Sequence, residues 1–122
     1  MNVDILFYAG LAFILTHEMD AIYNKEWRIF PLTYWMSDKA GYSVFTLTHV
    51  PLYIWIFYSL FSPDISPESK LVFKKGLDIF LIVHVFLHIA LAFYPQNTFR
   101  SATSWFLIIG AGLCGALHLF LA

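Results

Sequence analysis

The chain has 122 residues, of which 60% are hydrophobic and 12% charged, and its mean hydropathy is +0.71. Soluble domains are about 45–50% apolar and about 25% charged, so this composition indicates a membrane protein rather than a water-soluble domain. The formal net charge of −1, with the seven Lys and Arg residues scattered along the chain, excludes the basic surface that nucleic-acid binding requires.

Four apolar segments have the length of a membrane-crossing helix, which takes about 20 residues at 1.5 Å per residue. They are predicted at about 3–23, 44–61, 71–93 and 104–122. Prolines, serines and charges predict surface turns between the second and third segments and between the third and fourth. We therefore predict an all-α fold, an integral membrane four-helix bundle in which residues 1–122 form a single multi-pass transmembrane domain.

The first connection, residues 24–43, is longer and more aromatic than the other two. Its charged residues alternate with Trp, Phe and Tyr, a pattern typical of an interfacial segment that lies in the headgroup layer. For Glu26, Trp27 and Arg28 we expect such an anchor, with a lid or a lipid-headgroup contact as the alternative.

Polar residues end the apolar stretch of the first helix, in the sequence THEMDA at 16–21. His17 and Asp20 are three residues apart and share one face of that helix. Counted from the same membrane surface at 1.5 Å per residue, His17 lies about 9 Å deep, and His49, His84 and His88 lie about 8 to 14 Å deep. Polar groups from three helices are thus predicted to share one layer.

Ionisable groups inside a membrane are costly, so they normally face the bundle interior and find partners there. Imidazole and carboxylate are good ligands for zinc and iron. One interpretation is therefore a divalent metal ion, zinc or iron, bound by His17, Asp20, His49, His84 and His88. The alternatives are haem and a metal-free polar network of histidines.

Glu18 follows His17 and is rotated by about 100° from it around the helix. HEMDA begins like the zinc-protease motif H-E-x-x-H, but Ala21 replaces the second histidine, so that protease mechanism is not predicted. Glu18 is predicted either as a catalytic general base that activates a metal-bound water or as the partner of Arg28.

The fourth helix contains GAGLCG at 110–115, which matches the nucleotide-binding pattern G-x-G-x-x-G. No strand precedes it, so the small residues instead predict close helix packing, and this face could also form a homo-oligomer. His118 lies about 21 Å from the membrane surface used above and is assigned to the opposite half of the bundle.

Taken together, these motifs resemble those of a group of small four-helix integral membrane proteins of unknown function. The resemblance is carried by THEMDA, EWR, HVPL and HVFLH in this order and covers nearly the whole chain. It implies a membrane location and the four-helix layout, but no activity. A fainter similarity, through the HxxxH of HVFLH, is to membrane zinc amidohydrolases of the alkaline ceramidase type, which have seven helices.

The sequence thus predicts an integral membrane metal-binding protein and leaves open whether it is an enzyme. As an enzyme it would be a metal-dependent hydrolase or oxidoreductase acting on a lipid or another hydrophobic substrate. The alternative is a non-enzymatic small membrane protein, such as an accessory subunit or a haem carrier. The expected partners are the lipid bilayer, a hydrophobic small molecule and a second copy of the chain.

Overall fold

The computed structural model describes residues 2–122, which form four α-helices and one short 3-10 helix and contain no strand. The α-helices are α1 (Asp4–Tyr23), α2 (Asp38–Phe61), α3 (Pro67–Leu91) and α4 (Ala102–Leu121), and the 3-10 helix is Glu26–Arg28. The all-α, four-helix part of the prediction is confirmed. Three of the helices, α1, α2 and α4, are long and apolar enough to cross a membrane.

Serine side chains set where the later helices begin. Ser37, Ser66 and Ser101 each accept a hydrogen bond from a backbone N–H three residues further along the chain. Such a cap satisfies one of the free N–H groups in the first helical turn. Because of its cap, α2 begins at Asp38 rather than near residue 44, and its first two turns include polar residues that the hydropathy pattern assigns to the connection.

Helices α1, α3 and α4 pack tightly together, with α4 against both of the others. Small residues on α4 allow this approach: a Cβ atom added to Gly115 would lie 3.0 Å from the Asp78 carbonyl oxygen, and one added to Gly112 would lie 2.3 Å from Val85. Gly112 and Gly115 of GAGLCG therefore pack against α3, and Gly110 packs against Phe13 of α1, as small residues do at membrane helix interfaces.

Helix α2 lies further from the others. Only three of its 24 residues are buried, and large apolar side chains cover its outer surface, including Leu47, Ile54, Trp55 and Phe57. An apolar cavity of about 450 Å³ separates it from α1 and α3 along part of its length. An exterior of this kind suits contact with lipid, where apolar side chains need no cover.

Helix α3 is 25 residues long, but its first half carries several charged residues: Glu68, Lys70, Lys74, Lys75 and Asp78. Its second half is apolar apart from His84 and His88. For this reason α3 is not among the helices whose composition alone suits a membrane crossing.

Candidate metal centre

Four side chains from three elements meet inside one end of the bundle. They are His17 of α1, Glu26 of the 3-10 helix, and His84 and His88 of α3. One ligand atom from each lies within 4.8 Å of the ligand atoms of the other three. All four residues are buried, with at most 5% of their surface exposed. We call this group the histidine–glutamate cluster.

The members of this cluster are close without being directly hydrogen-bonded. His17 Nε2 lies 3.6 Å from Glu26 Oε2, and His88 Nε2 lies 3.9 Å from Glu26 Oε1. Both distances exceed the 2.7 to 3.2 Å of an ordinary N–H···O bond. The three imidazole rings have centroids 4.5 to 5.0 Å apart and meet edge to face. The ligand atoms therefore surround a small common space.

Most polar atoms of the cluster have no hydrogen-bond partner among residues 2–122. These atoms are both ring nitrogens of His17 and of His88, Nδ1 of His84 and Oε2 of Glu26. Leaving one buried polar group unsatisfied costs about 1–3 kcal/mol, so native proteins rarely leave several together. A cation in the common space would satisfy atoms of all four residues, because neutral imidazole nitrogens and carboxylate oxygens are metal ligands.

An unusual backbone turn directs Glu26 toward the histidines. Lys25, directly after the Asn24 cap of α1, has φ 52° and ψ 55°, in the left-handed region. A residue with a side chain adopts this conformation at a cost of about 1–2 kcal/mol, so contacts on either side must stabilise it. Directly after this turn, the Glu26 carboxylate lies 3.6 Å from His17 of α1.

Asp38, the first residue of α2, holds this turn in place. It accepts hydrogen bonds from Lys25 Nζ at 2.8 Å, Trp27 Nε1 at 3.2 Å, and Arg28 Nε and Nη2 at 2.8 and 2.5 Å. The two bonds from Arg28 form the bidentate pairing that fixes a guanidinium relative to a carboxylate. We call this arrangement the Asp38 clasp.

Trp27 packs against the first turns of α2. Its side chain is 4% exposed and lies so close to Gly41 that a Cβ atom there would be 2.2 Å from Trp27 Cδ1. Glu26 therefore faces the histidines, whereas Trp27 and Arg28 both bind Asp38 and Trp27 also packs on Gly41. The headgroup position expected for this segment stays a prediction, but Glu26 and Trp27 both point into the protein.

Phe99 covers the cluster from the connection between α3 and α4. Its ring centroid lies 4.8 Å from that of His88 and 5.5 Å from that of His17, and the residue is 2% exposed. Asn97 fixes this position, since its Nδ2 donates to the Leu91 carbonyl oxygen and its Oδ1 accepts from the Phe99 N–H, both at 2.8 Å. An apolar cover of this kind keeps bulk water away and strengthens electrostatic interactions inside.

Burial raises the pKa of the Glu26 carboxyl, an effect that the neighbouring His17 partly opposes. A carboxylate removed from water is costly unless positive charge compensates it. An ion bound between Glu26 and the imidazoles would supply that charge and favour the ionised carboxylate.

Of the ligands predicted from the sequence, the structure brings His17, His84 and His88 together. It places His49 elsewhere: Nε2 lies 2.8 Å from Glu18 Oε2, and Nδ1 lies 2.5 Å from the Phe45 carbonyl oxygen. Glu18 is thus paired with His49, while Arg28 is engaged by Asp38.

Asp20 lies one turn beyond His17 on α1 and is half-buried. It is not part of the group of ligand atoms within 4.8 Å, and its Oδ2 is shielded without a hydrogen-bond partner in the described part of the chain. The carboxylate that joins the histidines is instead Glu26. Counting residues along a helix gives the depth of a helical residue, so it does not apply to Glu26, which lies in a connection. The one sequence signal for Glu26 is an acidic residue beside Trp27, shortly after α1.

A further histidine–carboxylate contact lies toward the other end of the bundle. His118 Nδ1 and Asp78 Oδ2 are 2.5 Å apart, and neither side chain is more than 1% exposed. Asp4 lies 3.9 Å from His118 Nε2 and accepts a hydrogen bond from Lys74 Nζ at 2.7 Å. His118 is therefore separate from the histidine–glutamate cluster.

Comparison with known proteins gives a family but no activity. None of the curated proteins and none of the solved structures that were compared with the chain matches it. The model of a family of unknown function, DUF6713, matches residues 3–122, and the chain therefore belongs to this family.

Proposed function

We propose that the protein is an integral membrane metal-binding protein in which His17, Glu26, His84 and His88 hold one divalent ion, zinc or iron. The observation that carries the proposal is the group of unpaired, buried ligand atoms within 4.8 Å of one another. Three imidazoles and one carboxylate satisfy the four-coordinate preference of zinc and also suit iron.

A metal-free polar network explains the cluster less well. In such a network each imidazole would donate a hydrogen bond to Glu26, as His118 bonds to Asp78, but the separations here are 3.6 and 3.9 Å. Haem is also less suitable, because the rings of His17, His88 and Phe99 are in contact with one another and leave space for an ion rather than a porphyrin.

A metal-dependent hydrolase or oxidoreductase acting on a hydrophobic substrate is the second candidate. It is favoured by the position of Glu18, which follows the proposed ligand His17 in the chain and lines the apolar cavity between α1, α2 and α3. Its side chain is 20% exposed, so a substrate in that cavity could reach it. In such an enzyme Glu18 would be the general base, with His49 holding its carboxylate in position.

Elemental analysis of the protein purified in detergent tests the metal site. We expect about one zinc or iron ion per chain, and we expect a His84→Ala, His88→Ala variant to lose it, because two of four ligands are removed. His49→Gln is the matched control: it removes a histidine at a similar depth but outside the cluster, and it should keep the ion.

Circular dichroism of each variant separates loss of metal from loss of fold. A wild-type protein without stoichiometric metal, or a folded double variant that keeps its metal, would contradict the proposed site. Loss of metal in His49→Gln as well would place the ligands elsewhere than proposed.

A further inference from the structure

The apolar cavity between α1, α2 and α3 has a composition that matches a hydrocarbon chain. Its wall includes the core residues Leu11, Ile14, Ile56 and Leu81, each at most 8% exposed, and among residues 2–122 Glu18 is the only charged residue that lines it. A space of about 450 Å³ is within the usual range of ligand cavities. Apolar cavities exclude water and bind apolar molecules instead. We call this space the acyl cleft.

Gly76 leaves open space at the α3 wall of the cleft. It lies within α3 and lines the cleft, yet a Cβ atom added there would meet no other atom within 4 Å. By contrast, Gly41, Gly112 and Gly115 are each required by a close neighbour. Glycine inside a helix is less stable than alanine, so its presence needs a reason. Helix packing gives none for Gly76, which is exposed and leaves open space at the α3 side of the cleft.

The pairing of Glu18 with His49 gives the cleft a polar end. The bond between these side chains, 2.8 Å long, links α1 to α2 where the two helices otherwise lie apart. Because His49 also contacts the Phe45 carbonyl oxygen through Nδ1, both side chains are fixed in orientation. The cleft therefore has apolar walls and one oriented carboxylate, the arrangement expected for an amphipathic molecule.

We propose that the acyl cleft binds one hydrocarbon chain of a bilayer phospholipid, which enters sideways from the membrane and brings the polar part of the lipid toward Glu18. The surroundings of α2 favour this occupant, because its outer surface is apolar and three helices of the bundle suit a bilayer. The proposal deepens the proposed function and depends on its membrane placement, since it names the substrate class of the site beside His17.

Photocrosslinking of the full chain in lipid nanodiscs tests this. The probe is a phosphatidylcholine with a diazirine at the end of one acyl chain, and mass spectrometry maps the labelled residues. We expect label on Leu11, Ile56 or Leu81, which bulk lipid does not reach because they are 8% exposed or less. Ile54 and Phe120, which are 64% and 88% exposed, report the labelling by bulk lipid.

A Gly76→Leu variant blocks the cleft, because its side chain extends into open space instead of clashing with a neighbour. We expect it to lose the label at the buried positions and to keep it at Ile54 and Phe120. Gly76→Ala is the matched control and should keep both. If Gly76→Leu does not fold, Leu52→Phe narrows the cleft from α2 and carries the same expectation.

Label confined to the exposed residues overturns the proposal, as does buried label that persists in a folded blocking variant. If a diazirine fatty acid labels the buried residues and the phospholipid probe does not, the occupant of the cleft is a free fatty acid and the proposed phospholipid is wrong. Metal content is measured on the same samples. A labelled cleft in a metal-free protein contradicts the metal site alone, and an unlabelled cleft in a metal-loaded protein contradicts this inference alone.

Discussion

His118 and Asp78 form a hydrogen bond of 2.5 Å near one end of the bundle, whereas His17 and His88 near the other end stand 3.6 and 3.9 Å from the Glu26 carboxylate. In the first region His118 Nδ1 and Asp78 Oδ2 satisfy each other, and Asp78 Oδ1 is the one atom of the pair found buried without a partner in the described part of the chain. In the second, imidazoles and a carboxylate of the same chemical types leave their polar atoms facing a shared space. The difference indicates a structural pair in the first region and, in the second, a group of residues that could hold a metal ion, which supports the proposal above.

The elements that carry these groups explain why the two regions differ. Asp78 and His118 lie on neighbouring helices, and Gly115 lets α3 and α4 approach until the pair is in direct contact. Glu26 lies on a short turn whose position is set by the Asp38 clasp and not by bonds to the histidines. The clasp therefore holds Glu26 at the distance from the imidazoles that an ion would bridge.

The largest effect on stability is expected where the structural pair is broken. After Asp78→Ala, the nearest carboxylate that the described residues offer to the buried His118 is Asp4, 3.9 Å away. Removing one partner of a buried pair costs about 3–5 kcal/mol, so the free energy of unfolding should fall by about that much. It is measured by denaturant titration in detergent, and metal content should stay unchanged.

Replacing both partners provides the control for this prediction. An Asp78→Leu, His118→Phe variant leaves no unpaired polar group, and such replacements of buried pairs are often neutral or stabilising. We expect it to recover most of the lost stability and to bind metal as the wild type does. A double variant as unstable as Asp78→Ala would mean that the pair does more than join α3 to α4, and metal loss in either variant would link the two regions.

The sequence predicts the four helices because long apolar segments separated by proline-rich or charged turns have few other solutions in a membrane protein. It does not predict their starting points. Ser37 and Asp38 have the composition of a loop, and only the cap geometry assigns them to the beginning of α2. The charged first half of α3 is likewise helical although its hydropathy is low.

The site can be predicted in part, because depth along a helix follows from residue count but direction does not. His17, His84 and His88 lie at a similar depth, and their side chains point toward the same space. His49 has a similar depth, but its helix lies apart from α1 and its side chain meets Glu18. Glu26 reaches the cluster only through the left-handed conformation of Lys25, which leaves no trace in hydrophobic periodicity.

An intermediate effect is expected from weakening the Asp38 clasp. Asp38→Asn keeps the size of the side chain but removes the charge that binds Lys25 and Arg28. Residues that orient a metal ligand typically change metal affinity by about 10- to 100-fold, and we expect a loss in this range because Glu26 is no longer held in place. Competition with a chromophoric chelator measures the affinity.

Lys39→Gln is the matched control, since it changes a charge at the neighbouring, exposed position. Its metal affinity should equal that of the wild type. Equal metal affinities for Asp38→Asn and Lys39→Gln would show that the histidines themselves position Glu26. The Asp38 clasp would then not explain why Glu26 stands further from its histidines than Asp78 does from His118.

The smallest effect is expected at Gly41, which acts on Glu26 only through Trp27. A Cβ atom at this position would lie 2.2 Å from Trp27 Cδ1, so Gly41→Ala must displace the indole and with it the turn. Because the two bonds from Arg28 to Asp38 remain, metal affinity should fall by less than about tenfold.

Gly76→Ala is the control. It adds the same methyl group to a helix, but this methyl group has no other atom within 4 Å, so the metal affinity should not change. If both variants bind metal equally well, the ring of Trp27 moves independently of Glu26, and the Asp38 clasp alone keeps the cluster open.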